Sequence, residues 1–253
     1  MSAKVLGVIP ARYGSSRLPG KPLKDICGKP MIQHVYENAS KSKVLSKVLS
    51  KVVVATDDQR VYDAVIAFGG EAVMTSVNHP TGSDRVAEAA SNYDCDYVIN
   101  IQGDEPLVPP EIIDDIGSAL INSPDCVMAT GSLEITGDEN YILNNTVVKV
   151  VSDVNGNAIY FSRSPIPYPR HEEEARYFEH IGIYAYTHDF LNTYTKLAPT
   201  PLSEAESLEQ LKVLEHGYKI KIVPAPAHYK AVSVDTEEDL QEVIRIYKEL
   251  HGC

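Results

Sequence analysis

The stretch "KVVVATDDQRVYDAVIAFGGEAVM", residues 51–74, decides the fold. KVVVAT (51–56) is a short apolar run rich in β-branched residues and reads as a strand. DQRVYDAVIAFG (58–69) reads as a helix that ends at Gly69. EAVM (71–74) reads as the next strand. Strand, helix and strand in so short a span make a βαβ unit, the connection that parallel strands require.

The same alternation extends in both directions. VLGVI (5–9) predicts a strand and PMIQHVYENA (30–39) a helix, with Pro30 suited to its first turn. DRVAEAASNY (84–93) predicts a helix, DYVINI (96–101) a strand, PEIIDDIGSALI (110–121) a helix and CVMAT (126–130) a strand. Runs this apolar suit strands buried on both faces, hence an α/β fold with a largely parallel central sheet. The rhythm then changes. VVKVV, NAIYFS and HIGIYAY read as strands without helices between them, an antiparallel lobe around 145–190. Within it SRSPIPYPRHEEEARY (162–177), rich in proline and charge, predicts an exposed loop. A helix around 205–216, a strand at 219–223 and a helix from about 236 to 250 complete the chain. No linker stands out, so one domain over 1–253 is expected. The repeated SKVLSKVLSK (42–51) reads as extra turns on a helix.

The chain has 253 residues, 43% apolar and 23% charged, the balance of a globular protein with a substantial core. A net charge of −12 argues against a surface built for nucleic acid or anionic membrane. No stretch approaches a membrane span, and MSAKVLGVIPAR lacks the apolar core of a secretory signal. Cys27, Cys95, Cys126 and Cys253 are scattered, without a C-x-x-C pair, which predicts neither a disulfide framework nor a thiolate metal site. A reducing cytoplasm is the expected setting.

Positive charge gathers in one place. IPARYGSSRLPGKPL (9–23) follows the first strand and holds Arg12, Arg17 and Lys21 among serines and glycines. Glycine lets backbone N–H groups approach an anion, and arginine and lysine neutralise it. The carboxyl end of a strand is where an open α/β sheet binds ligands. This is not a P-loop: five residues separate Gly14 from Gly20, and Pro22 follows Lys21 where a magnesium-binding hydroxyl belongs.

Four further stretches carry candidates. INIQGDEPLV (99–108) places Gln102, Asp104 and Glu105 at a strand end, either a turn or an oxygen-ligand site for Mg²⁺. VSVDTEEDL (232–240) places Asp235 after a short strand, either as a metal ligand or as the first member of a capping box with Glu238. NHPTGSDRVAEA (78–89) offers Thr81 and Ser83 to a base edge and Arg85 to a phosphate, unless Ser83 or Asp84 merely caps a helix. EHIGIYAY and ESLEQLKVLEHG contain His180, a core histidine or a ligand, and Glu209, a partner of Lys212 or of substrate.

IPARYGSSRLPGKPL, QGDEP, YFSRSPIP, HIGIYAY, LEQLKVL and VDTEEDL, in this order, resemble the 3-deoxy-D-manno-octulosonate (Kdo) cytidylyltransferases almost end to end. The resemblance implies a Rossmann-like, GT-A-like nucleotidyltransferase fold whose antiparallel lobe serves dimerisation. It implies transfer of CMP from CTP to Kdo with release of pyrophosphate, magnesium as cofactor, a homodimer, and a place in lipopolysaccharide biosynthesis. It assigns Arg12, Ser15 and Lys21 to the triphosphate and Arg17 to the sugar carboxylate. It assigns Thr81, Ser83 and Arg85 to cytidine, Asp104 and Asp235 to Mg²⁺, and Gln102, Arg163, His180, Tyr184, Glu209 and Gln210 to the Kdo pocket. Arg12, Lys21, Asp104 and Asp235 would carry catalysis. Two features depart from the family pattern: the long 42–51 segment, and HPTGSDRVAE in place of an SGTERLAE-like run. Competing readings are the same transfer to 8-amino-Kdo or a sialic acid, and a non-catalytic nucleotide-binding module.

Overall fold

The computed structural model describes residues 3–15, 17–45, 51–226, 229 and 232–252. In chain order the elements are β1 (Val5–Ala11), β2 (Asp25–Ile26), β3 (Lys29–Pro30), α1 (Met31–Ser40), β4 (Lys51–Thr56), α2 (Gln59–Ala67), β5 (Ala72–Met74), α3 (Gly82–Ala90), β6 (Tyr97–Asn100) and α4 (Pro110–Ile121). Then come β7 (Met128–Ile135), α5 (Glu139–Leu143), β8 (Lys149–Ser152), β9 (Ala158–Ser162), β10 (Tyr177–Thr187), α6 (His188–Tyr194), α7 (Pro201–Glu206), α8 (Leu211–Glu215), β11 (Ile220–Pro224) and α9 (Glu237–His251). The chain forms two compact units, Met1–Asp114 with Lys230–Cys253, and Asp115–Tyr229. Among the described residues no helix is long and apolar enough to cross a membrane.

In the first unit β6, β1, β4 and β5 are parallel neighbours in that order. Ile9 lies opposite Val54, and Val8 opposite Asn100. Val5, Leu6, Val8, Ile9 and Ala11 are all buried, as are Val52, Val53, Val54 and Ala55 of β4. Strands closed on both faces have no polar face to alternate, which is why they read as continuous apolar runs. Helix starts are chemically marked. The Asp58 side chain accepts from the Arg60 N–H at α2, and Thr81 and Asp84 form a capping box at α3.

A smaller core lies beneath the basic loop. Leu18, Ile26, Met31, Val234, Leu240 and Val243 are buried together, with Ile244 and Tyr247 packed against them. The hairpin β2–β3 turns through Cys27 (φ +51°) and Gly28 (φ +84°), two left-handed residues as a tight two-residue hairpin needs. Cys27 is disulfide-bonded while Cys95 and Cys126 are free, so the expectation of reduced thiols throughout does not hold at Cys27.

In the second unit β7 pairs parallel with β11 and antiparallel with β10. β8 pairs antiparallel with both β10 and β9. The antiparallel strands after residue 145 therefore exist, and the 162–177 segment is mostly exposed, with one 3₁₀ turn at Glu172–Glu174.

Four sequence expectations are corrected. Helix α1 ends at Ser40, and Ser42 Oγ and the Val44 N–H both donate to Asp114 Oδ1, at 2.6 and 2.8 Å, drawing the chain off the helix axis. The repeat thus does not extend α1; its residues 46–50 lie outside the described residues. The helix expected at 205–216 is two short helices, parted at Ser207 by a left-handed turn (φ 51°). The short strand expected just before Asp235 is not formed among the described residues 232–234. Helices α5 and α6 were not anticipated; each starts at a side-chain cap, Asp138 and Thr187 respectively.

Candidate active site

A cavity of about 370 Å³ opens at the carboxyl ends of β1 and β6, lined wholly by first-unit residues. One wall is the loop after β1, with Arg12, Gly14, Ser15, Arg17 and Lys21; the other is Gln102, Gly103 and Asp104, with Asp235 and Gly82 beside them.

The loop is shaped by its own backbone. The Gly20 N–H donates to the Tyr13 carbonyl at 3.1 Å, and Gly20 takes φ +70° against the Tyr13 ring. A side chain there would be strained, because only glycine enters this region freely. The Ser15 hydroxyl accepts from the Leu18 N–H at 3.2 Å, and buried Leu18 anchors the loop in the small core. Arg17 and Lys21 flank that anchor and project from it. On the outer side the Arg60 guanidinium lies 3.3 Å from the centre of the Tyr13 ring. It is itself held by Asp58 through a fork of 2.9 and 2.7 Å. Nothing in the sequence pairs Tyr13 with Arg60; their contact needs β1 beside β4.

The acidic wall depends on Gly103. A Cβ there would stand 2.6 Å from the Pro10 carbonyl oxygen, so glycine alone lets the chain leaving β6 press against β1. Asp104 follows at once. Its carbonyl accepts from the Val234 N–H at 2.9 Å, which brings Asp235 alongside. Lys21 Nζ sits between the two carboxylates, 2.7 Å from Asp104 Oδ2 and 3.1 Å from Asp235 Oδ1. Arg17 Nη2 lies 3.1 Å from Asp235 Oδ2.

Asp235 is not the cap of α9. The cap is Thr236, whose hydroxyl accepts from the Asp239 N–H at 3.2 Å, while Asp239 Oδ2 accepts from the N–H groups of Asp235 (3.0 Å) and Thr236 (2.8 Å). The expected box of Asp235 with Glu238 is thereby replaced by Thr236 with Asp239. Burial alone would raise the Asp239 pKa, but these hydrogen bonds outweigh it and hold the group ionised below its usual range. Asp235 is left to face the cavity.

The NHPTGSDRVAEA stretch departs further from expectation. Thr81, expected at a base edge, is the α3 cap, its hydroxyl donating to Asp84 Oδ2 at 2.7 Å; neither Ser83 nor Asp84 takes that place. Ser83 is buried. Arg85 is fully buried, with Nη2 2.6 Å from Asp57 Oδ2 and Nη1 bonded to the Thr75 hydroxyl. It does not reach toward a phosphate, because a buried guanidinium keeps its carboxylate partner.

Arg163, His180, Tyr184, Glu209 and Gln210 belong to the second unit, Gln102 and Arg17 to the first. Arg163 donates to the carbonyls of Glu206, Asn145 and Ser207, at 2.7, 3.2 and 3.4 Å. His180 has a ring nitrogen 3.0 Å from Thr130 Oγ1 and packs edge-on to Phe161. Burial pushes its pKa down to about 3, so the ring is neutral at ordinary pH. Rings continue through Tyr184, Tyr186 and Tyr194, whose hydroxyl donates to Glu209 Oε2 at 3.0 Å. Gln210 is 4% exposed, and its amide nitrogen has no hydrogen-bond partner among the described residues. Two neighbours escaped the sequence reading. Buried Lys149 donates to the carbonyls of Asn144, Val147 and Arg163, and burial lowers its pKa. Glu206 accepts from Ser162 Oγ at 2.6 Å and the Arg163 N–H at 2.9 Å. Lys149 lies within VVKVV and Glu206 opens ESLEQLKVLEHG, but neither residue type at those positions signals in sequence the partners it takes in the fold.

A cytidylyltransferase from Leptospira borgpetersenii superposes over 99% of this chain and 96% of its own with a TM-score of 0.62 at 18% identity, a likeness of fold. The chain belongs to the cytidylyltransferase family, whose family model matches residues 6–221, and within it to the 3-deoxy-manno-octulosonate cytidylyltransferases. The enzyme of that name from Fusobacterium nucleatum is 50% identical over 97% of this chain and 98% of its own length. That from Solibacter usitatus is 47% identical over 98% and 96%. A solved CMP:2-keto-3-deoxy-manno-octonic acid synthetase complexed with CTP is 44% identical, covers 98% of this chain and all of its own, and has a TM-score of 0.92.

Proposed function

We infer that this enzyme transfers CMP from CTP to Kdo, giving CMP-Kdo and pyrophosphate. The observation that carries the reading is the cavity itself, a cationic loop facing Asp104 and Asp235 at the carboxyl edge of a parallel sheet, in a chain 44% identical to a synthetase solved with CTP. The anomeric hydroxyl of the sugar acid attacks the α-phosphorus and gives up its proton to solvent. A new P–O bond forms, the α–β bridging P–O bond breaks, and pyrophosphate departs with the electron pair. Such chemistry needs positioning and charge neutralisation rather than a covalent nucleophile.

Arg12, Ser15 and Lys21 hold the triphosphate, and Arg17 orients the sugar carboxylate. Ser83 and the backbone around Gly82 are the candidates for cytidine in the α3 stretch, Arg85 acting only as support. The residues assigned to the sugar acid are Gln102 in the first unit and Arg163, His180, Tyr184, Glu209 and Gln210 in the second; the Gln210 amide nitrogen, without a hydrogen-bond partner among the described residues, is a ready donor for a sugar oxygen.

Asp104 and Asp235 would hold Mg²⁺. The donor set fits a hard cation: two carboxylates, no thiolate or imidazole, and an ammonium already seated between them. Among the described residues no group of three or more His, Cys, Asp or Glu forms a cage, a pattern suited to an ion that shares itself with substrate phosphates. Held there, the ion would supply positive charge to the triphosphate. A homodimer working in the cytoplasm, supplying the activated sugar for lipopolysaccharide, completes the proposal.

The test is pyrophosphate release from four nucleoside triphosphates against Kdo, 8-amino-Kdo and a sialic acid, with Mg²⁺ and with EDTA. Turnover confined to CTP and Kdo and lost in EDTA is expected. Equal turnover with ATP, or turnover surviving EDTA, would overturn it.

A further inference from the structure

Lys21 already does, with one charge, what a divalent cation between Asp104 and Asp235 would do with two. Its Nζ contacts one oxygen of each carboxylate, at 2.7 and 3.1 Å, and its side chain is only 16% exposed. Arg17 takes the second Asp235 oxygen at 3.1 Å. The backbones that carry them are held together, because the Val234 N–H is bonded to the Asp104 carbonyl at 2.9 Å. Like charges fixed so close repel unless a cation lies between them.

Mg²⁺ takes oxygen ligands at about 2.0–2.1 Å, inside the distances at which the ammonium stands. Ammonium and dication therefore compete for the same two oxygens. Lysine suits the exchange, since its charge rides on a flexible four-carbon stem. The root of that stem is fixed: Lys21 follows the left-handed Gly20 and opens a 3₁₀ turn with buried Pro22. A triphosphate entering beside Arg12 and Ser15 gives the ammonium a second anion.

We propose that Lys21 is a tethered counter-ion that keeps metal out of the Asp104–Asp235 pair until CTP draws its ammonium away. Nucleotide and metal then load cooperatively, and free metal alone binds weakly. The inference rests on the reading of Asp104 and Asp235 as metal ligands and adds the role of Lys21 before metal arrives.

The probe is Mn²⁺ in the absence of nucleotide, its free fraction followed by electron paramagnetic resonance. Lys21→Met should bind Mn²⁺ about tenfold more tightly than the parent enzyme, and Lys21→Arg, which keeps the charge, should bind as weakly as the parent. Adding Asp235→Asn to Lys21→Met should remove the gain. CTP should strengthen Mn²⁺ binding by a larger factor in the parent than in Lys21→Met, as reciprocal coupling requires. Mn²⁺ should also raise the melting temperature of Lys21→Met more than that of the parent, which doubles as the check that the variant folds. Equal or weaker binding by Lys21→Met overturns the proposal, as does a gain that survives Asp235→Asn. Neither result touches the reaction, which stands or falls on pyrophosphate release from CTP and Kdo.

Discussion

The N–H of Val234 donates to the carbonyl of Asp104 at 2.9 Å, and this one backbone bond sets Asp235 against Asp104. The two carboxylates stand 131 positions apart in the sequence. Each is delivered by an apolar anchor: Asp104 by the strand whose Val98 and Ile99 are buried, Asp235 by the buried Val234 beside it.

Because Thr236 and not Asp235 caps α9, stability and turnover should separate. Thr236→Ala should cost about 1 kcal/mol, a fall of roughly 2–4 °C in melting temperature, with activity largely kept. Asp235→Asn should melt near normally yet lose turnover by about 100-fold, since even the outer partners of a metal are worth about 10–100-fold. Thermal unfolding beside steady-state rates decides it. Near-normal turnover in Asp235→Asn would remove that residue from the reaction.

Gly103→Ala tests the close approach of the two strand ends. Its Cβ would meet the Pro10 carbonyl at 2.6 Å, and backbone has little room to yield. The expected loss is about 1–3 kcal/mol of stability, with turnover down by an order of magnitude or more as Asp104 shifts. A variant that melts and works like the parent would show that Asp104 tolerates displacement.

The stack of Arg60 on Tyr13 braces the loop from outside without touching the cavity. A cation–π contact at an exposed site is worth about 0.5–1 kcal/mol. Arg60→Ala should therefore raise the KM for CTP about two- to fivefold, leaving kcat and the KM for Kdo nearly unchanged. An equal change in both KM values would mean that the loop positions both substrates.

Arg17→Lys keeps charge but loses the fork that pairs with a carboxylate. The KM for Kdo should rise more than that for CTP. A rise in the CTP value alone would place Arg17 with the triphosphate instead.

His180 makes an acid-sensitive contribution to stability. Its folded pKa, about 3, lies below the ordinary value of 6.5 because the ring is buried. The unfolded chain takes up the proton first, so this stability is fully present above pH 6.5 and is lost progressively as pH falls toward 3. At pH 4 the loss is on the order of 3 kcal/mol. His180→Gln should flatten the fall in melting temperature between pH 6.5 and 4. An unchanged slope would assign the acid sensitivity to other groups.

Much of the frame is local and was legible. The apolar runs of β1, β4 and β6 and the helices between them are set by nearest-neighbour preference and by burial on both faces. The basic loop announced itself through glycine and charge in one stretch. The caps were misplaced by one to three residues, at Thr81 and Thr236, because several neighbouring side chains can each offer an oxygen to the first turn. Only the folded backbone selects one of them.

Sequence by itself determined which residue types were at hand: an anion-binding loop after the first strand, two carboxylates at the ends of apolar segments, a parallel sheet to carry them. Tertiary structure alone decided how those charges are paired. It buried Arg85 against Asp57, stacked Arg60 on Tyr13, and seated Lys21 between Asp104 and Asp235. Propensity and periodicity act between residues a few places apart and are written along the chain. Ion pairs form between groups that meet through space, at separations of 3 Å or so, and only strand order and the close passage of Gly103 fix which groups meet.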